Sequence, residues 1–391
     1  MVEGTESKKN PPSLALCLSG GGLRSAVFHL GVLRRLNEVG LLAKIDMINA
    51  SSGGSLIAAV MAHHLAAWPS EALPVKEFDD RVVVPMRNLA GMNLYREAQK
   101  DLPRQRTLCD GLAHRLAQHL APQDLMDLPL APRFTFLATD VSRGCLWEFR
   151  RDRMGCAGSG WFPHSRDDGA VIHGTSRTAM PRAVAASCCH PTQFRPMTIP
   201  FEPGELVCEE SESGGVSEHR AVLSDGGLAD PLAIEPALTA GAKVIIAIHG
   251  GSPFQRRTKS SRTREVDLCS QVLYNQLLKR RYQDLMGSGS RVLYLPLSAV
   301  PAGVPGQNGH KPRGYTESFA EEIISQIPAD LSGLTYAESA VLENHGYTLA
   351  EPVLKHHATE LPAMKYAPLT IPYPDFLNRD ESSLARAVAT S

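Results

Sequence analysis

The stretch Asn49-Ala50-Ser51-Ser52-Gly53-Gly54-Ser55 decides how this chain is read. Before it, Lys44 to Asn49 (KIDMIN) has the length and apolar bias of a short strand. After it, Ser55 to Trp68 (SLIAAVMAHHLAAW) carries apolar and alanine residues at helical spacing. A strand that turns directly into a helix through small residues can hold a serine on a strained turn with its hydroxyl exposed. Centred on Ser52, the small flanking positions are Ala50 and Gly54, giving A-x-S-x-G where G-x-S-x-G is usual. Centred on Ser51, one of those positions falls on Asn49, a poorer fit. Ser52 is therefore the candidate nucleophile. The same residues also suit a plain βα turn, so the assignment depends on the rest of the chain.

Immediately upstream lies a second strand–turn–helix. Ser13 to Leu18 (SLALCL) reads as a strand, Ser19-Gly20-Gly21-Gly22-Leu23-Arg24-Ser25 comes next, and Ala26 to Gly40 has Val27, Leu30, Leu33 and Leu36 on one helical face. The βαβα order predicts a mainly parallel sheet with helices on its faces. As a dinucleotide fingerprint the glycine loop is incomplete, and the next strand ends in Asn49-Ala50 without the expected acid. As a P-loop it lacks the closing Gly-Lys-Ser/Thr. Side-chain-free residues at a helix N-terminus also leave N–H groups free to bind a developing negative charge. That oxyanion reading of Gly20, Gly21 and Gly22 alone uses the serine on the neighbouring strand.

A serine hydroxyl needs a base within hydrogen-bond reach. Among the 14 histidines, His249, at the end of KVIIAIH and before Gly250-Gly251, is the best candidate for a Ser-His-Asp triad. Asp225 is the better base. It closes an apolar strand (RAVLSD) and is followed by Gly226 and Gly227, which expose its carboxylate at a sheet edge. Partial desolvation raises a carboxylate's pKa and improves it as a base.

The chain has 391 residues, 43% hydrophobic and 21% charged, with a formal net charge of -1, the profile of a globular protein with a large core. Near-zero charge argues against a nucleic-acid partner bound through a basic surface. No apolar run is long enough to span a bilayer, and the polar leader at residues 1–12 has no apolar signal core. Eight cysteines without C-x-x-C spacing suggest reduced thiols in a cytosolic-type compartment, neither a disulfide framework nor a zinc site. We expect no metal and no cofactor. Further expectations are a helical stretch over 70–131, strands at 133–140 and 144–150, and irregular chain over 151–175. Beyond these the sequence predicts a helix at 176–191, a polar hairpin or a flexible insert at 204–219, a basic loop at 255–264 and a long helix at 265–285. The C-terminal part has a strand at 291–297, a Pro/Gly connector at 301–314, and helices near 316–327 and 335–358.

Taken together, SGGGLRS (19–25), ASSGGS (50–55), FLATD (136–140), AASCCHPTQFRP (185–196) and SDGGLADP (224–231) resemble the patatin-like phospholipase family. The resemblance implies a three-layer α/β/α fold over residues 13–240, with 241–391 completing the sheet and adding helices. It also implies a serine–aspartate dyad that hydrolyses acyl esters of lipids. Ser52 matches the family's nucleophile, Asp225 the base, Gly20, Gly21 and Gly22 the oxyanion loop, and Arg24 its G-G-G-x-R position. Two departures stand out: Ala50 replaces the first glycine of the nucleophile motif, and Cys188-Cys189-His190 stand where small residues are common. The implied partners are phospholipid or another acyl lipid, met by transient contact of a cytoplasmic protein with a membrane surface. The reading leaves open a triad esterase using His249 and a catalytically silent lipid binder on the same fold.

Overall fold

In the computed structural model the described residues are 13–65, 67–120, 123–158, 160–164, 178–191, 193–202, 205–206, 220–251, 262–304 and 313–389. The leader at 1–12 lies outside them, as do most of the expected hairpin at 204–219, most of the basic loop and part of the 301–314 connector.

The chain opens β1 (Leu14–Leu18), α1 (Gly22–Glu38), β2 (Met47–Ser51), α2 (Gly53–His64), which is the predicted βαβα order. Short helices α3 (Val75–Phe78), α4 (Val84–Ala90), α5 (Leu94–Asp101) and α6 (Leu108–Leu120) lead to strands β3 (Arg133–Asp140), β4 (Cys145–Arg150), β5 (Arg153–Cys156) and β6 (Gly160–Pro163). Then come α7 (Met180–Ser187), β7 (Met197–Pro200), β8 (Arg220–Asp225), α8 (Glu235–Thr239), β9 (Val244–His249), α9 (Arg262–Gly287) and β10 (Arg291–Pro296). The last elements are α10 (Glu317–Glu322), α11 (Tyr336–His356), α12 (Pro374–Leu377) and α13 (Glu381–Ala389). The irregular chain expected from 151 onward instead begins with the β5–β6 hairpin. Met154 and Phe162 face each other there and are buried, while Arg153 stacks over Trp161. Charged and glycine residues masked a period-two pattern only four residues long.

The sheet runs β10-β9-β1-β2-β3 in parallel and continues antiparallel through β4, β5 and β6. Alternation along β1 explains the layers. Leu14, Leu16 and Leu18 belong to the core beneath α1, α2 and α11, and Ala15 and Cys17 to a smaller core under α8 and α9. Because β9 pairs directly with β1, residues on both sides of position 240 share one sheet.

Two strands meet end to end along β3. One edge of β3 pairs with β4 over Thr135–Asp140. Its other edge is occupied by β2 as far as Leu137, opposite Ser51, and then by β8 from Ala138, opposite Asp225. β2 runs parallel to β3 and β8 antiparallel, so the two strands end tip to tip on the same edge of β3.

The cysteines correct the expectation of reduced thiols. Cys109 is disulfide-bonded to Cys189 and Cys145 to Cys156. Spacing in sequence carried no hint, because one pair joins α6 to the turn after α7 and the other bridges β4 and β5.

Candidate active site

The end-to-end meeting of β2 and β8 brings Ser52 and Asp225 into contact: Ser52 Oγ donates to Asp225 Oδ2 at 2.6 Å. Ser52 has φ 50° and ψ −122°, a strained conformation for a residue with a side chain. It is the residue before α2 and is 8% exposed, while Asp225 is 4% exposed. Ala50 lies inside β2, is fully buried, and is not among the positive-φ residues, so a methyl group is accommodated where a glycine is usual. Gly54 has no such latitude. A Cβ there would lie 2.2 Å from the carbonyl oxygen of Leu18, because α2 starts hard against the end of β1.

The acid is held as firmly as the serine. The Gly227 N–H donates to Asp225 Oδ1 at 2.8 Å, and Thr139 Oγ1 donates to the Asp225 carbonyl at 2.8 Å. Burial pushes the Asp225 carboxyl up, against the opposing pull of His190 and of the hydrogen bonds from Ser52 and Gly227. A Cβ on Gly226 would meet the Leu137 carbonyl at 2.3 Å and Ser51 Oγ at 2.7 Å, so the turn after Asp225 is packed onto the same seam.

The register Leu18↔Ala50 sets the glycine loop beside the serine. A Cβ on Gly20 would stand 3.1 Å from Ser52 Cβ and 3.8 Å from Ser52 Oγ. Gly21 and Gly22 have φ of 130° and 62°, backbone conformations that favour glycine. Among the described residues none accepts a hydrogen bond from the N–H of Gly20, Gly21 or Gly22. α1 and α2 both start at this point, so two helix N-termini converge where an anion would sit.

Arg24 does not reach the Ser52–Asp225 pair. Its guanidinium is buried and donates to the carbonyls of Gly250, Ser325 and Ile327 at 2.8–3.3 Å, tying α1 to the end of β9 and to the chain before α11. Burial lowers its pKa to about 10. His249 is likewise engaged elsewhere, its Nδ1 sharing a 2.9 Å hydrogen bond with the Tyr294 hydroxyl. Burial pulls His249 down to about 4.

Sequence reading missed the support supplied by α7. The Ser52 N–H donates to Ser187 Oγ at 2.8 Å, and Ser187 Oγ shares a 2.8 Å hydrogen bond with Ser55 Oγ. Cys188 Sγ donates to the Ser52 carbonyl at 3.2 Å, and the Cys189 carbonyl accepts from the Asp225 N–H and from Ser224 Oγ. Ser187-Cys188-Cys189 thus touches both strand ends, and its one outward sign was its place in the AASCCHPTQFRP run. Among the described residues no group of His, Cys, Asp or Glu is arranged to hold a metal ion.

A serine on a strained strand–helix turn thus stands hydrogen-bonded to a buried carboxylate at the end of a mainly parallel sheet flanked by helices. The profile of the family "Patatin-like phospholipase" matches residues 16–238, and the chain belongs to that family. No curated protein matches at a significant level. Among solved structures, human GIVD cytosolic phospholipase A2 superposes with a TM-score of 0.54 at 12% identity, over 97% of this chain and 62% of that one. The same human protein in complex with methyl gamma-linolenyl fluorophosphonate gives 0.48 at 15% identity, over 89% and 60%. VipD from Legionella pneumophila gives 0.38 at 13% identity, over 89% and 67%. The first likeness supports the shared fold, and the chain spans about three fifths of the human enzyme's length. Among the described residues no helix is long and apolar enough to cross a membrane.

Proposed function

We propose that this chain hydrolyses carboxylic esters of acyl lipids, with Ser52 as nucleophile and Asp225 as its base. The observation that carries the reading is the 2.6 Å hydrogen bond from Ser52 Oγ to Asp225 Oδ2. Family membership supports the substrate class. In the first step Asp225 takes the Ser52 proton as Oγ bonds to the ester carbonyl carbon, and the carbonyl oxygen becomes an oxyanion. The free N–H groups of Gly20, Gly21 and Gly22 receive that charge, assisted by the N-termini of α1 and α2. Collapse breaks the bond to the alcohol, which leaves with the proton from Asp225, and an acyl-serine remains. Water then gives its proton to Asp225 and attacks the acyl carbon. The second tetrahedral species releases the fatty acid and returns the proton to Ser52.

Ser187 and Cys188 hold the Ser52 backbone in its strained conformation, so the hydroxyl is aimed before substrate arrives. Access to aggregated substrate would come through transient contact with a lipid surface. The test is labelling by a fluorophosphonate with peptide mapping, in the natural sequence, in Ser52→Ala and in Asp225→Ala. Label on the Ser52 peptide that is lost in both variants supports the reading. A folded protein that takes no label at Ser52 favours the silent lipid binder.

A further inference from the structure

α9 lies beyond the residues matched by the family profile, yet one of its side chains packs beside the turn that follows Asp225. Tyr274 crosses the gap between the turn after Asp225 and the end of β9. Its ring edge, Cε2, is 3.9 Å from where a Cβ on Gly227 would lie. Its hydroxyl is 3.2 Å from where a Cβ on Gly251 would lie. Gly227 is the residue whose N–H holds Asp225, and neighbouring Gly250 presents its carbonyl to Gly21 of the glycine loop, 2.8 Å from a Cβ built there. The Tyr274 ring therefore spans from the acid turn toward the loop assigned to the oxyanion. The residue is half-buried, and its hydroxyl has no hydrogen-bond partner among the described residues. Burial and the charge of Asp225 hold its proton on, so the group is a donor.

A donor set beside the turn of the proposed base is matched by only part of an acyl lipid. Apart from its carbonyl oxygen, which the glycine loop is assigned to receive, the acyl half offers only methylenes, whereas the alcohol half offers glycerol and head-group oxygens. Resting on the reading of Ser52 and Asp225 given above, we infer that Tyr274 forms a polar subsite for the alcohol half of the ester, its hydroxyl donating a hydrogen bond to an oxygen of that half. The small residues at 226–227 and 250–251 keep the space beneath the ring open, and a side chain at Gly251 would collide with His249 Nε2 at 2.5 Å.

The decisive experiment measures binding in a protein that cannot turn over. In a Ser52→Ala background, calorimetry compares a short-chain diether phosphocholine with a fatty-acid methyl ester of the same chain length, with and without Tyr274→Phe. Phenylalanine keeps the ring and removes only the hydroxyl, so the unfolding temperature should not change. The expected result is about 3- to 10-fold weaker binding of the diether phosphocholine, the loss of one neutral hydrogen bond, with methyl-ester binding unchanged. Equal weakening of both ligands, or no weakening of the phosphocholine ligand, would overturn the subsite. Because the readout is binding, it is separate from the fluorophosphonate test: an unlabelled Ser52 would sink the proposed reaction and leave the binding ratio to judge Tyr274.

Discussion

Two of the buried carboxylates, Glu343 and Asp225, are treated in opposite ways. Glu343, in the seam between α1 and α11, is fully buried and clamped by two arginines. Arg34 donates at 3.1 Å, and Arg87 binds in a two-pronged fashion at 2.8 and 2.9 Å. Burial raises its pKa, and the two guanidinium groups offset part of that rise. Asp225, at the meeting of β2 and β8, is held by a hydroxyl and a backbone N–H, with His190 nearby. A carboxylate clamped by two permanent cations is a poor proton acceptor and a good structural tie. One left under-compensated by neutral donors is poised to take a proton. The seam also uses glycine differently. A Cβ on Gly31 would lie 2.1 Å from the Glu343 carbonyl, and one on Gly346 would lie 2.1 Å from the Phe28 carbonyl, so the two helices pack backbone to backbone. At the sheet edge, glycines instead provide unusual φ and free N–H groups.

The strongest way to break this contrast is to remove each acid in turn. Asp225→Ala and Ser52→Ala should each lower ester hydrolysis by at least about 10³-fold and leave cooperative unfolding intact, as read by activity and circular dichroism. An Asp225→Ala protein with ordinary turnover would end the proposed mechanism. Glu343→Ala should do the reverse, costing about 3–5 kcal/mol of stability because Arg34 and Arg87 are left without their partner. The folded fraction should keep its activity per molecule. Denaturant unfolding with active-site titration separates the two quantities.

Gly31→Ala sharpens the comparison at a smaller scale. Forcing the α1–α11 seam apart should cost about 1–3 kcal/mol, seen as a lower denaturant midpoint, again without a specific effect on chemistry.

The smallest effects concern pH. The Asp225 pKa is raised in the folded protein, so the penalty for burying its charge is absent below the unfolded value and complete above the folded one. Asp225→Asn should therefore raise the unfolding temperature at about pH 8 and leave it nearly unchanged at about pH 4. An equal shift at both would show that the charge is not the cause. Asp230, pushed up by burial from 3.8 to about 6, adds a second penalty that grows over that interval. The acid limb of activity should track Asp225 and lie above the ordinary aspartate value.

Much of the site was legible because its requirements are local. A strand running into Gly20-Gly21-Gly22, another into Ser52 and Gly54, and a third into Asp225-Gly226-Gly227 are each short runs whose apolar period and small residues can be read directly. The same locality made the parallel β1–α1–β2–α2 start predictable. Where the signal was brief or diluted by charge, as in β5 and β6, it was lost. Nor was the role of Ser187-Cys188-Cys189 legible, since a small-residue helix end looks alike whether it packs against a strand tip or another helix.

The sequence by itself determined which residue types stand at the ends of which strands, because strand period, helix onset and turn chemistry are properties of neighbouring residues. Only the tertiary structure decided that Ser52 and Asp225, 173 positions apart, touch. That contact depends on register: β2 leaves the edge of β3 at Leu137 and β8 takes it up at Ala138 from the opposite direction. Pairing register and strand direction are set by packing over the whole sheet, as are the Cys109–Cys189 bond and the placement of Tyr274 from a helix outside the motif region.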